Sequence, residues 1–134
     1  MTLELLVNID VDDLARAVAF YTAALPLRVG RRFGGDGVEL LGGSSALYLL
    51  AKAAGSQGAP GSPRGYRRHW TPIHLDFIVA DLDAAVTRAT AAGATLEQPA
   101  LVRPWGRIAM LADPFGHGLC LIELSEQGYD AIAT

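Results

Sequence analysis

Positions 5–11, LLVNIDV, alternate in character: Leu5, Val7, Ile9 and Val11 fall on one side of an extended chain, Leu6, Asn8 and Asp10 on the other. A period of two predicts a strand with two different faces. The spacing then becomes helical, with Leu14, Ala17, Val18 and Tyr21 on one face. Asp13 stands before that face, where a carboxylate accepts bonds from the first unpaired amides. Residues 74–79 restart the alternation, setting Leu75, Phe77 and Val79 against His74, Asp76 and Ile78. Asp81 precedes a second helical face of Leu82, Ala85, Val86 and Ala89, and Gly93 supplies its stop.

Three short strand-like runs follow each helix. They cover roughly 26–33, 37–41 and 45–51, then roughly 95–103, 106–112 and 117–124, broken by GGDG, GGSS, Pro104 and DPFG. Sliding the chain on itself by 68 residues lays LVNIDVDDLARAVAFYTAAL beside HLDFIVADLDAAVTRATAAG. Val11 meets Val79, Asp13 meets Asp81, and Leu14 meets Leu82 in the same register. This is a tandem duplication of a βαβββ unit. The first module covers about 1–54, the second about 73–126, with a short tail at 127–134. Between them, residues 55–72 are rich in Gly, Pro and Ser and read as a loop or linker. A unit of about 50 residues buries little alone, so a single domain is expected.

Composition narrows the function classes. Apolar residues make up 51% and charged residues 19%, values of a folded globular chain. A net charge of -3 argues against a nucleic-acid partner, which wants a basic surface. No apolar run approaches the ~20 residues that cross a bilayer, so no membrane partner is expected. The acidic start, MTLELLVNIDVDD, does not read as a signal peptide. One cysteine, Cys120, excludes an intrachain disulfide and points to the cytoplasm. Nucleophile elbows, phosphate loops, dinucleotide fingerprints and C-x-x-C pairs do not occur.

The segments DVDDLARAVAFYTAALPL, VADLDAAVTRATAAGA and LADPFGHGLCLIEL, in this order, resemble the vicinal oxygen chelate superfamily of glyoxalases, dioxygenases and bleomycin-resistance proteins. The resemblance spans nearly the whole chain. It implies an α+β fold: two tandem βαβββ modules forming a curled, cup-shaped mixed sheet with helices outside, commonly as a homodimer. Metal-dependent members place four ligands on the first and last strands of each module. The matching positions here are Leu6, His74, Tyr48 and Cys120. Only His74 is an ordinary ligand, and Cys120 an unusual one. Glu123 is out of step with Cys120 along its strand, although a register one residue out would return it to the site.

No metal and no other cofactor is therefore expected. The expected function is a metal-free protein that sequesters a small-molecule ligand in a dimeric cup. Its lining would be Leu6, Asn8, Tyr48, His74, Asp76, Arg107 and Cys120, with Trp105 at the rim. Tyr48, Trp105 and Arg107 offer an aromatic wall with one guanidinium, or equally sheet-edge packing and a surface ion pair. Asp76 and Arg107 are expected to pair in the empty site. The alternative is an enzyme on the same scaffold, a lyase, isomerase or dioxygenase. It would be metal-dependent or would use His74, the one candidate catalytic residue, as acid/base with Asp76 orienting it. Against this stands an inherited His74 satisfied by Asp76 or backbone. The basic stretch RGYRRHW, residues 64–70, reads as a solvated loop rather than a lid.

Overall fold

Both aspartates placed before the helical faces do cap helices, and the two caps are nearly superimposable. In a computed structural model describing all residues 1–134, Asp13 (φ -137°, ψ 99°) accepts from the Arg16 amide. Asp81 (φ -134°, ψ 104°) accepts from the Ala84 amide. The helices they start, α1 (Leu14–Ala24) and α2 (Leu82–Ala92), begin and end 68 residues apart, the offset of the sequence repeat.

The chain divides into two units, Met1–Arg67 and Arg68–Thr134. In the first, β1 (Val7–Val11) precedes α1, followed by β2 (Arg28–Phe33), β3 (Gly37–Leu41) and β4 (Leu47–Ala51). These four strands form one sheet in the order β1-β4-β3-β2. The β1–β4 pair is parallel and the others antiparallel. Ile9, Val11, Val38, Leu40, Leu47 and Leu49 bury the face that carries α1, whose Ala17, Phe20, Tyr21 and Ala24 are buried in turn.

A small hairpin follows, β5 (Gln57–Ala59) with β6 (Ser62–Pro63), inside the stretch read as a linker. The second unit repeats the plan with β7 (Leu75–Ile78), α2, β8 (Thr95–Arg103), β9 (Gly106–Ala112) and β10 (Gly118–Leu124), ordered β7-β10-β9-β8. A short 3-10 turn, Gly128–Ala131, follows β10. No helix is long and apolar enough to cross a membrane.

The curled, cup-shaped sheet expected from the resemblance is not formed. The strands make two separate four-stranded sheets, each open between two edge strands, β1 and β2 in one and β7 and β8 in the other. Hydrophobic alternation specifies the faces of a strand. Curvature and closure depend on ladders between sheets, which alternation does not encode.

The basic stretch 64–70 is largely exposed, as expected of a solvated loop, and is also tied down by ion pairs and hydrogen bonds. Arg64 binds Asp10 at 2.7 Å, the Tyr66 hydroxyl donates to the Lys52 carbonyl at 2.6 Å, and Arg68 forks onto both oxygens of Glu97. Arg64 and Arg68 each pair with a carboxylate of their own unit. DPFG is structural, as its turn residues suggest: the buried Asp113 carboxylate accepts from the Phe115 and His117 amides.

Candidate metal centre

The parallel pairing of β7 with β10 sets Asp76 directly beside Cys120. Paired residues share a sheet face, so carboxylate and thiol lie on the side away from α2. His74 stands immediately before β7, two residues from Asp76, and therefore on that same side. The consequence is a cluster in which ligand atoms of His74, Asp76 and Cys120 all lie within 4.8 Å of one another. His74 and Asp76 are each about a third exposed, whereas Cys120 is buried.

Asp76 is the hub of the cluster. Its Oδ1 lies 3.0 Å from His74 Nδ1. An ionised carboxylate only accepts hydrogen bonds, so Nδ1 carries a proton, and in the neutral ring Nε2 keeps its lone pair. The Cys120 thiol lies beside that carboxylate. Burial first, then the Asp76 charge and its acceptor oxygens, push the thiol up from 9.0 to about 11. Trp70 stacks against the His74 ring, centroids 4.8 Å apart and planes tilted by 32°, which further fixes the imidazole.

One imidazole, one carboxylate and one thiol form a three-ligand set open on its exposed side, the donor count of catalytic rather than structural zinc sites. The residues therefore fit a divalent ion, and the expectation of a metal-free, ligand-sequestering cup is overturned. That expectation weighed the four family positions, of which His74 and Cys120 alone could ligate, and Glu123 as the only added carboxylate. Asp76 is not one of the four. It joins them because strand periodicity returns it to the His74 face and the β7–β10 register delivers it to Cys120.

The remaining candidates divide between other places. Arg107 does not pair with Asp76. It donates to Glu123 at 3.1 Å and to Asp83 of α2 at 3.3 Å, on the helix side of the sheet. The cause is parity: Arg107 pairs with Glu123, and Cys120 pairs with Met110, three residues away on each strand. Glu123 also accepts from the Leu82 amide at 2.8 Å, so its carboxylate caps α2 and stays out of the cluster. These two contacts hold it below the usual carboxylate range. Trp105 lies in the β8–β9 turn, half-buried edge-on against Tyr129, with centroids 5.6 Å apart.

In the first unit, Leu6 is exposed just before β1, at the place equivalent to His74. Asn8 and Tyr48 are direct partners, as Asp76 and Cys120 are in the second unit. Tyr48 belongs to a group that sequence reading missed. Its hydroxyl donates to Glu39 at 3.0 Å and accepts from Arg31, which forks onto the same carboxylate at 2.6–3.1 Å. Glu39 is 6% exposed, and Arg31 side-chain and backbone bonds hold it down to about 2. Gly30 leaves room for the carboxylate, since a Cβ there would lie 2.6 Å from Glu39 Oε1. The overlooked signal was Glu39 alternating with Val38 and Leu40, on the Tyr48 face.

Residues 6–122 match the family described as a glyoxalase-like domain. The chain belongs to that family, within the vicinal oxygen chelate superfamily. This glyoxalase-like chain is 34% identical over 130 residues to the anthracycline biosynthesis protein DauV of Streptomyces sp. (strain C5). The match covers 95% of the chain but 43% of that relative, so the chain spans less than half its length. Among solved structures, the hypothetical protein SA1046 from S. aureus shares the fold with a TM-score of 0.73 at 20% identity, covering 92% of this chain and 95% of that one. A lactoylglutathione lyase from Agrobacterium tumefaciens does so at 0.65 and 22%, covering 92% and 94%.

Proposed function

We propose that this chain is an enzyme of the glyoxalase-like family whose centre is a divalent metal held by His74, Asp76 and Cys120. The observation carrying this reading is the convergence of three different ligand atoms within 4.8 Å, two on exposed side chains and one on a buried thiol. When bound, the ion would supply a Lewis acid able to polarise a substrate oxygen. The protein's own groups prepare the place. Asp76 fixes the imidazole tautomer, Trp70 fixes its plane, and the partly exposed His74 and Asp76 leave the cluster open to solvent. The lyase named among the similar folds makes proton-transfer chemistry of the lyase or isomerase type the first to test, as an analogy of fold. Open sheet edges support a homodimer, and a single free thiol supports a cytoplasmic setting.

A second reading is favoured by the 3.0 Å His74–Asp76 bond. His74 Nε2 would then act as general base without a metal, oriented by the carboxylate. One preparation decides between them. After loading with Zn2+ and dialysis, the chain is expected to retain about one metal per chain and lose it in His74→Ala. Turnover of lactoylglutathione is followed in the same samples before and after chelation. Activity that survives chelation but not His74→Ala selects the second reading. No retained metal together with turnover indifferent to His74→Ala rejects both.

A further inference from the structure

The strand register carries the composition of this centre one step further. Cys120 is flanked on one side by Asp76 of β7 and on the other by Met110 of β9. Directly paired residues project from one face, so a row of carboxylate, thiol and thioether crosses the sheet beneath His74. Within the three-residue cluster, Asp76 is the only oxygen donor. Hard ions such as Mg2+, Ca2+ and Mn2+ prefer six or more oxygen ligands, whereas thiolate and imidazole suit softer ions.

We propose that this centre selects thiophilic ions of the Zn2+ class against Mg2+, Mn2+ and Ca2+, with Cys120 as the deciding ligand and Met110 excluding any further oxygen donor from its side. The inference rests on the metal-binding reading above and adds the class of ion. Cys120 lies at the sheet centre and His74 and Asp76 at its accessible edge, so the ion enters from the exposed side and meets the buried sulfur last.

The test uses the unmodified, chelator-stripped chain titrated with Co2+. A thiolate ligand gives a near-ultraviolet sulfur-to-cobalt charge-transfer band that oxygen and nitrogen ligands do not. The band is expected to saturate at about one Co2+ per chain. Equimolar Zn2+ should bleach it, and about a hundredfold excess of Mn2+ should leave it standing. Cys120→Ser should abolish the band, while Met110→Leu, which preserves an apolar neighbour, should keep it. Because the band is read on the native chain, the result does not depend on how well a variant folds. Stoichiometric Co2+ binding without the band, or displacement by Mn2+, overturns the selectivity while leaving a metal centre in place. Failure of Co2+ and Zn2+ alike to bind overturns the metal centre as well.

Discussion

Asp76 and Cys120 face each other across the β7–β10 pair, with thiol and carboxylate within 4.8 Å. In the metal-free protein this contact protects the thiol and makes it a poor nucleophile, because thiolate is the reactive form. Its proton also couples to stability. The folded thiol is pushed up to about 11 from 9.0, so above pH 9 the unfolded chain releases its proton first. The stabilising contribution is complete below about pH 9 and is lost as pH rises through about 11. Thermal unfolding in chelator should show this decline, and Cys120→Ser should flatten it. Asp76→Asn removes a neighbouring negative charge, so it should lower the thiol pKa and speed alkylation at mildly alkaline pH. An alkylation rate that is already fast in the native chain, and unchanged by Asp76→Asn, would contradict the contact.

The fold was legible wherever one local pattern decided the matter. Asp13 and Asp81 with the faces behind them located both helices, because capping and periodicity are written within a dozen residues. The cluster was only half legible. His74 and Asp76 share a face by strand parity alone, but that Cys120 lies beside Asp76 depends on a register between strands some forty residues apart. Arg107 was misplaced for a related reason: the turn around Trp105 and Gly106 sets its parity, and a difference of one residue sends a side chain to the helix side. Glu39 was missed because its partner Arg31 lies across a bulged pairing that the sequence does not show.

Glu39 yields a prediction of opposite sign at the acid end. Its carboxylate is lowered from 4.5 to about 2, with the Arg31 side-chain bond the first cause and the Arg31 amide the second. The contribution of the group is present above about pH 4.5 and is lost as pH falls toward 2. Glu39→Gln should therefore lower the melting temperature near neutral pH and lose much of the acid dependence between those values. Tyr48→Phe removes only one hydroxyl bond to the carboxylate and should cost less. Circular dichroism melts across that pH range compare the three proteins. An acid limb unchanged in Glu39→Gln would place the responsible carboxylate elsewhere.

The caps make a paired prediction. Asp13 and Asp81 accept from amides three residues on, at 3.0 and 3.1 Å. Asp13→Ala and Asp81→Ala should each destabilise by about 1 kcal/mol in urea unfolding. The α2 terminus has additional support, since the Leu82 amide donates to Glu123, so Asp81→Ala should be the milder loss. Equal or reversed losses would mean that Glu123 adds nothing to the cap.

Glu123 also separates architecture from chemistry. One residue of register would have brought its carboxylate toward Cys120 as a fourth ligand. Instead its pairing with Arg107 sends it to α2, where it accepts from the Leu82 amide at 2.8 Å and from Arg107 at 3.1 Å. Both contacts favour the ionised form and hold the group below the ordinary carboxylate range. Its stabilising contribution is therefore present above the usual glutamate range and declines as the medium becomes more acid. Glu123→Gln keeps the shape and one acceptor oxygen but loses the charge, so it should unfold at lower urea with little change in slope. Zn2+ affinity should stay within about twofold of the native chain, because the carboxylate faces away from the cluster. His74→Ala should do the reverse: an exposed side chain is removed at small cost to folding, and metal retention disappears. A Glu123→Gln protein that folds normally yet fails to hold Zn2+ would move the fourth strand of the second module by one residue and return its carboxylate to the centre.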